Sequence, residues 1–446
     1  MRIRIFHIVC AVIITCSIQY GLHNIVGVQV ITQIDDILII FLAGMVLVRK
    51  IEIGSFTLKK SPLDLFVIAF TILFFVSGLL NRVPLINFLL SWKSYWIYVI
   101  FYYCLINSGL TIEEHKKLIK LLIFIFVLQL PIILVEFIVT FLTTGGFHDD
   151  FAHGTIGGAN RISYSVFAPL MYVSYMVLAE RMRSYLPYLF ILFLVLVIPM
   201  GEFAIASYAA ITCFFFLKWV RLSIRNTVNI LCLIIPVIIF VSGFSLLKSS
   251  FSKHSKFASF NPIEWYYNLT VKQNNVYSGA QRNLYFLLTY NHVNENSAHP
   301  LVGMGPGMYA SYVAYQLMPK TNLLVYDAFG QKEKGMDPGV DSQIIPIWGE
   351  FGYGGLLIFG VFLVSMVFYF YSHMRKFKEP GMQAVTHVSF ACALFLLLGF
   401  YVNHLWEIQP IMMTVFFFWA CFENMKNQYS EYHRQIPVVG SFIKET

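Results

Sequence analysis

Residues 64–80 read DLFVIAFTILFFVSGLL, and stretches like it recur from one end of the chain to the other. A stretch of about 20 apolar residues matches the hydrocarbon thickness of a bilayer. In that environment every backbone amide and carbonyl needs a partner within the protein, so only helices and closed barrels span. The runs are continuous rather than alternating, which excludes a β-barrel. Composition agrees: 58% of the 446 residues are hydrophobic and 12% charged, where a soluble domain carries about a quarter. Mean hydropathy is +0.69. The expected fold is an all-α, polytopic membrane protein.

The pattern predicts about twelve spans, at 5–20, 35–48, 63–80, 85–106, 118–143, 162–180, 185–199, 203–218, 227–247, 342–371, 384–402 and 409–424. The first resembles a signal peptide but lacks a small-residue cleavage site, so it reads as a retained helix. Basic residues fall at alternate connections. One side receives Arg2/Arg4, Arg49/Lys50/Lys59/Lys60, Lys116/Lys117/Lys120, Arg181/Arg183, Lys218/Arg221/Arg225, Arg375/Lys376/Lys378 and Lys426/Arg434/Lys444; the other receives little beyond Arg82 and Arg161. The positive-inside rule then puts both termini in the cytoplasm. The expected organisation is one integrated domain: helices over 1–247, an extracytoplasmic loop over 248–341, helices over 342–424 and a little-structured cytoplasmic tail over 425–446.

The net charge of +8 belongs to these topological clusters, so nucleic acid is not an expected partner. The seven cysteines all lie in apolar runs, which gives no disulfide framework and no zinc spacing. A loop as long as 248–341 is usually functional. Within it a helix is expected near 279–292, with Ser278 as its N-cap. A Gly-Pro turn in HPLVGMGPG leads to a second helix. Asn268-Leu-Thr270 matches a glycosylation acceptor, a pattern common by chance. No Walker loop, HExxH, CxxC or GxSxG occurs, so ATP-driven transport and zinc proteolysis have no support.

Ionisable residues at membrane depth are costly and point to function. Lys93 lies about two turns into the fourth span, either snorkelling outward or lining a cavity for an anion. In HDDFAHGTIGGANRISYS, Gly154, Gly157 and Gly158 allow backbone to approach a ligand. Asn160 and Arg161 open the next helix, whose N-terminus favours phosphate. His148, Asp149, Asp150 and His153 form a weak metal pattern. Asp35 and Asp36 read chiefly as helix caps, with a divalent metal as the other reading. Glu202 is a first-turn acid. Arg282 sits on the loop helix, and His299 precedes Pro300 as a turn residue. His404 and Glu407 lie in a polar turn.

The stretch GVDSQIIPIWGEFGYGG begins the tenth span. Asp341 and Ser342 are expected to cap it while facing the outer cavity. Gly349, Gly352 and Gly355 drift by about sixty degrees per step and make a stripe on which another helix packs. Glu350 is about half a turn from Asp341 in azimuth, which makes it a structural acid rather than half of a carboxylate pair.

In order, the chain carries Gly154-Thr155-x-Gly157-x-x-Asn160, Gly201-Glu202-x-Ala204, Arg282-x-x-Tyr285, His299-Pro-Leu-Val-Gly303-Met-Gly305-Pro-Gly307 and Asp341-Ser-Gln…Gly349-Glu-Phe-Gly-Tyr-Gly-Gly355. Over roughly residues 60–425 this resembles the O-antigen polymerase and O-antigen ligase superfamily, membrane glycosyltransferases of bacterial envelopes. The last two elements are the specific ones. The resemblance implies a GT-C type helical fold in the bacterial inner membrane, acting at the periplasmic face on undecaprenyl-diphosphate-linked glycans as donor and acceptor. Ligases generally carry a histidine where this chain has Asp341-Ser342, so the polymerase branch is favoured. Two departures stand out: Phe203 where a lysine is frequent, and Tyr285 where tryptophan is frequent.

The expected chemistry is inverting glycosyl transfer without a cofactor. Fixed cations stabilise the diphosphate leaving group: Arg161, Arg282 and Lys93, with Asn160 and Glu202 lining the same site. The acceptor hydroxyl needs a base within hydrogen-bond reach, which is Asp341, with His299 in reserve. Membrane lipid and a chain-length regulator protein are the further candidate partners. The alternatives are a ligase that moves the glycan to lipid A–core, and a flippase. Against the flippase, no half-to-half repeat is visible.

Overall fold

The computed structural model describes residues 4–26, 33–54, 57–144, 154–157, 159–199, 202–219, 280–295, 299–317, 342–377, 379–402 and 404–435. Among them the chain is helical, with no strand. The first nine helices are α1 (Ile5–Val26), α2 (Ile34–Glu52), α3 (Asp64–Leu80), α4 (Leu85–Asn107), α5 (Ile112–Val127), α6 (Gln129–Thr144), α7 (Ala159–Leu178), α8 (Leu186–Val197) and α9 (Glu202–Trp219). They are followed by α10 (Ala280–Glu295), α11 (Tyr312–Leu317), α12 (Ile344–His373), α13 (Pro380–Val402) and α14 (Gln409–Gln435). Eleven of the twelve expected runs fall on helices. The ninth, 227–247, lies outside the described residues, as do Ser278, Asp341, the 148–153 cluster and the Asn268 sequon. Both loop helices form, as α10 and α11.

Among the described residues, four helical stretches are long and apolar enough to cross a membrane: Leu85–Asn107, Ile112–Thr140, Ile344–His373 and Pro380–Tyr401. The chain is thus an α-helical membrane protein. Helix α3 shows how such a helix divides its faces. Phe66, Phe70 and Phe74, spaced four apart, are buried, while Leu65, Ile68, Ile72 and Leu79 are exposed, as a lipid-facing side allows. The buried rings pack on α12. Phe66 stacks on Phe362 at 4.0 Å, and Phe70 meets Phe351 and Phe359 edge-on at 4.9 and 4.8 Å.

Side-chain bonds tie the opposite end of the bundle. Asn424 Nδ2 donates to Leu105 O at 2.8 Å, Gln428 Nε2 to Leu110 O at 2.7 Å, and Arg49 Nη1 to Ser108 O. Leu105 lies in the last turn of α4, where its carbonyl also accepts from Ser108 N at 3.2 Å, and Ser108 and Leu110 follow the helix. The long side chains add further partners at this helix end. The same contacts correct the expected tail: α14 continues to Gln435 rather than losing its structure after 424. Helix α5 starts at this end on a capping box, Thr111 with Glu114.

Candidate functional site

The other end holds the residues singled out for chemistry. Its frame is an exchange of backbone hydrogen bonds. Helix α12 is interrupted at Gly352, whose φ of 62° is far from helical. A regular helix would bond Tyr353 N to Gly349 O and Gly354 N to Glu350 O. Here Tyr353 N donates to Pro300 O (3.0 Å) and Gly354 N to Leu301 O (2.9 Å), while Met304 N donates to Gly349 O (2.8 Å) and Gly305 N to Glu350 O (3.0 Å). Two helical bonds are replaced by four to the HPLVGMGPG loop. Helix α3 secures the splice: Ser77 Oγ reaches Val302 O (2.6 Å) and Glu350 O (3.0 Å), and Asn81 Nδ2 reaches Gly303 O (3.0 Å). From α4, Asn87 Nδ2 donates to Gly307 O at 2.9 Å.

This corrects the expected glycine stripe. A side chain at Gly349 would run into the Tyr309 ring, and one at Gly352 into the Pro300 carbonyl. The close partner is a loop, not another helix, and Gly352 also needs a backbone conformation that L side chains rarely adopt. The expected cap is corrected too. The N-cap of α12 is Gln343, with no side-chain capping bond, and Gln343 Oε1 instead accepts from Trp406 N at 3.0 Å.

Glu350 is fully buried beneath the splice. Its carboxyl accepts from the Tyr95 hydroxyl and from Tyr309 N, each at 3.4 Å. The Tyr95 hydroxyl also engages Glu407 from the turn before α14. Glu350 thus links the loop and α4 to α12, and it faces a second acid from another element. Glu407 lies 57 residues further along the chain (407 − 350), so no local spacing could reveal the pair. The signal that was available was an acid inside an apolar run.

Nearby, Lys93 Nζ lies 2.5 Å from Asp36 Oδ2 and touches Gln33 Oε1. The Tyr98 hydroxyl donates to Asp35 Oδ2 at 2.6 Å. Asp35 and Asp36 are buried, and the N-cap of α2 is Gln33, with no side-chain capping bond. They therefore serve as partners for α4 rather than as caps, and the Lys93 charge is committed to Asp36. Among the described residues no group of three or more His, Cys, Asp or Glu is placed to hold a metal.

Arg161, in the first turn of α7, lies 5.2 Å over the Tyr20 ring and makes no ion pair among the described residues. The Tyr20 hydroxyl donates to Gln409 Oε1 at 3.4 Å, and Gln19 Nε2 donates to the same oxygen at 3.1 Å. Gln19 also hydrogen-bonds Asp35. One polar chain thus joins Arg161 to the Asp35–Lys93 cluster. In the Gly-Thr element the amides of Gly154 and Thr155 are engaged within the protein. Gly154 N donates to Glu136 Oε2 (2.8 Å), Thr155 N to Gln129 Oε1 (3.0 Å) and Thr155 Oγ1 to Ser17 O (2.7 Å), while Gly157 fits against Tyr20. Gly154 and Gly157 let the turn approach α6 and α1, and Gly158 lies outside the described residues.

Arg282 lies in the first turn of α10 and Asn160 and Glu202 open α7 and α9; their side chains lie outside the described residues. One turn beyond Arg282, buried Tyr285 packs with Met304, Tyr309 and Ile345, so α10 rests on both the loop and α12. His292 on the same helix meets Tyr309 edge-on at 5.9 Å, and burial pushes the His292 pKa below its usual value. His299 is exposed and closes the turn that starts the loop, its carbonyl accepting from Val302 N (3.0 Å) and Gly303 N (3.1 Å). No protein-family model matches the chain, and no curated protein matches it.

Proposed function

We propose that this chain is a membrane glycosyltransferase that polymerises lipid-linked oligosaccharide repeat units. It has about twelve spans, a GT-C type fold and cytoplasmic termini, and it works at the periplasmic face of a bacterial inner membrane. The observation that carries this reading is the splice. HPLVGMGPG and GEFGYGG are the two most specific elements of the resemblance, and four backbone bonds join them beside the helix that bears Arg282.

In the reaction, an acceptor sugar hydroxyl attacks the anomeric carbon of the donor. The new carbon–oxygen bond forms as the bond to the undecaprenyl diphosphate breaks, and configuration inverts. The hydroxyl proton passes to Asp341 as general base. The departing diphosphate takes the bonding pair, and Arg161 and Arg282 stabilise its charge. Arg161 suits this role because among the described residues it lies over the Tyr20 ring and pairs with no carboxylate. Lys93 does not, because Asp36 holds it, so its role here is to position α2 against α4.

Purified protein in liposomes is expected to lengthen undecaprenyl-diphosphate-linked repeats. Arg161→Ala, Arg282→Ala and Asp341→Ala should each abolish long chains at normal protein level. A normal chain-length distribution in any of them removes that residue from the mechanism. In a deletion strain, core carrying one repeat unit supports a polymerase. Bare core would make the chain a ligase, and repeats trapped on the cytoplasmic face would make it a flippase.

A further inference from the structure

A recess runs along α2 from Ile40 to Glu52, toward the opposite end of the helix from Asp35 and Asp36. Asp36 and Arg49 are 13 residues apart (49 − 36) on this helix, so about 20 Å of helix separates Arg49 from the site above. The recess has a volume of about 880 Å3, within the range that holds a small organic ligand. Phe41, Met45 and Val48 of α2 and Phe6 of α1 form an apolar wall, and Arg4 and Arg49 stand at its rim. Gly44 lies in the wall with nothing within 4 Å of where its side chain would be. The space there is open, so this glycine is not needed for helix packing.

We infer that this recess is a phospholipid site, with an acyl chain along the α1–α2 wall and the lipid phosphate between Arg4 and Arg49. Three observations fix that occupant. The wall belongs to a membrane protein, so an apolar crevice open on its outside meets lipid tails. Both arginines stand at a helix end, where headgroups lie. Arg49 spends one donor on Ser108 O, and a guanidinium has five in a fork that matches phosphate. Glu52 and Glu114 also reach the recess. Glu114 is engaged, accepting from Thr111 N at 2.8 Å, which leaves Glu52 as the acid nearest a headgroup. An ethanolamine ammonium would suit it better than a second anion.

The test is native mass spectrometry of the full chain, released from detergent after incubation with one lipid at a time. Wild-type protein should retain phosphatidylethanolamine or phosphatidylglycerol, and should not retain diacylglycerol, which has the same tails and no phosphate. Gly44→Phe puts a ring into the open space and should lose the retained phospholipid, while Gly44→Ala keeps it. Arg4→Gln, at the exposed start of α1, should lower phospholipid retention. Equal retention by wild type and Gly44→Phe, or equal retention of diacylglycerol, overturns the site. Preference for phosphatidylethanolamine that vanishes in Glu52→Gln assigns the headgroup. The readout is binding, so it stands whether or not the chain lengthens glycans.

Discussion

The two ends of this bundle are joined by different means. At the end with Glu350, backbone meets backbone: the 299–307 loop takes over hydrogen bonds that α12 would otherwise make with itself. At the other end, side chains reach across to helix termini, as Asn424, Gln428 and Arg49 do at the end of α4. Lys116 pairs locally with Glu113 there, at 3.0 Å. A joint made of main chain fixes position to within a hydrogen-bond length and tolerates no added atoms. A joint made of long side chains tolerates small shifts. The rigid joint lies where the proposed chemistry needs fixed geometry.

Substitutions should separate the two ends, and glycines give the widest spread. Gly352→Ala demands an unfavourable backbone conformation and meets the Pro300 carbonyl, so a loss of about 4 kcal/mol is expected. Thermal unfolding in one detergent measures it, and new protease cleavage within 299–311 should accompany it. Gly360→Ala, where nothing lies within 4 Å, should be neutral or stabilise by up to about 1 kcal/mol. Equal melting temperatures for these two variants would end the comparison. Next in size, Glu350→Ala strands the Tyr309 amide and leaves the Tyr95 hydroxyl with Glu407 alone, at a cost of about 2–3 kcal/mol. Glu350→Gln keeps an acceptor and should cost clearly less.

Asp36→Asn leaves Lys93 without its charge partner. Because the lysine is partly exposed, the expected loss is about 1–2 kcal/mol. The double variant Asp36→Asn with Lys93→Met should recover part of it, and strict additivity would mean the pair carries no coupling. The smallest effects belong to the side-chain end. Thr111→Ala should cost about 1 kcal/mol through its cap, and Lys116→Ala less than about 0.5 kcal/mol, because its pairs are solvated. Urea or thermal melts of both place them on the same scale.

The sequence made the helices legible because their signal is local. An uncharged apolar run is visible without knowing what it packs against, and α3, α4 and α12 form where it occurs. The tail was misread for the opposite reason. Residues 425–435 look polar, and they are helical because α14 extends over the end of α4, a contact more than 300 residues distant in sequence. The glycine motifs were recognised as special, but spacing alone suggested a helix seam. Only the partner reveals a loop. Asp35, Asp36 and Lys93 were each marked, and each had a sensible local reading. Their pairing belongs to two helices at once and has no local signature. Tyr95 between Glu350 and Glu407 was missed because a tyrosine in an aromatic-rich span carries no mark.

The splice also sets an order of events during synthesis. Ser77 and Asn81 on α3 leave the ribosome more than 220 residues before the loop carbonyls they bind. The loop in turn precedes its acceptors at Gly349 and Glu350. This end of the protein therefore cannot close until α12 has been inserted, and until then an insertion chaperone or water must satisfy those polar groups. Nascent chains stalled just short of α12 should be protease-sensitive within 299–311, and chains released after α13 should be resistant there.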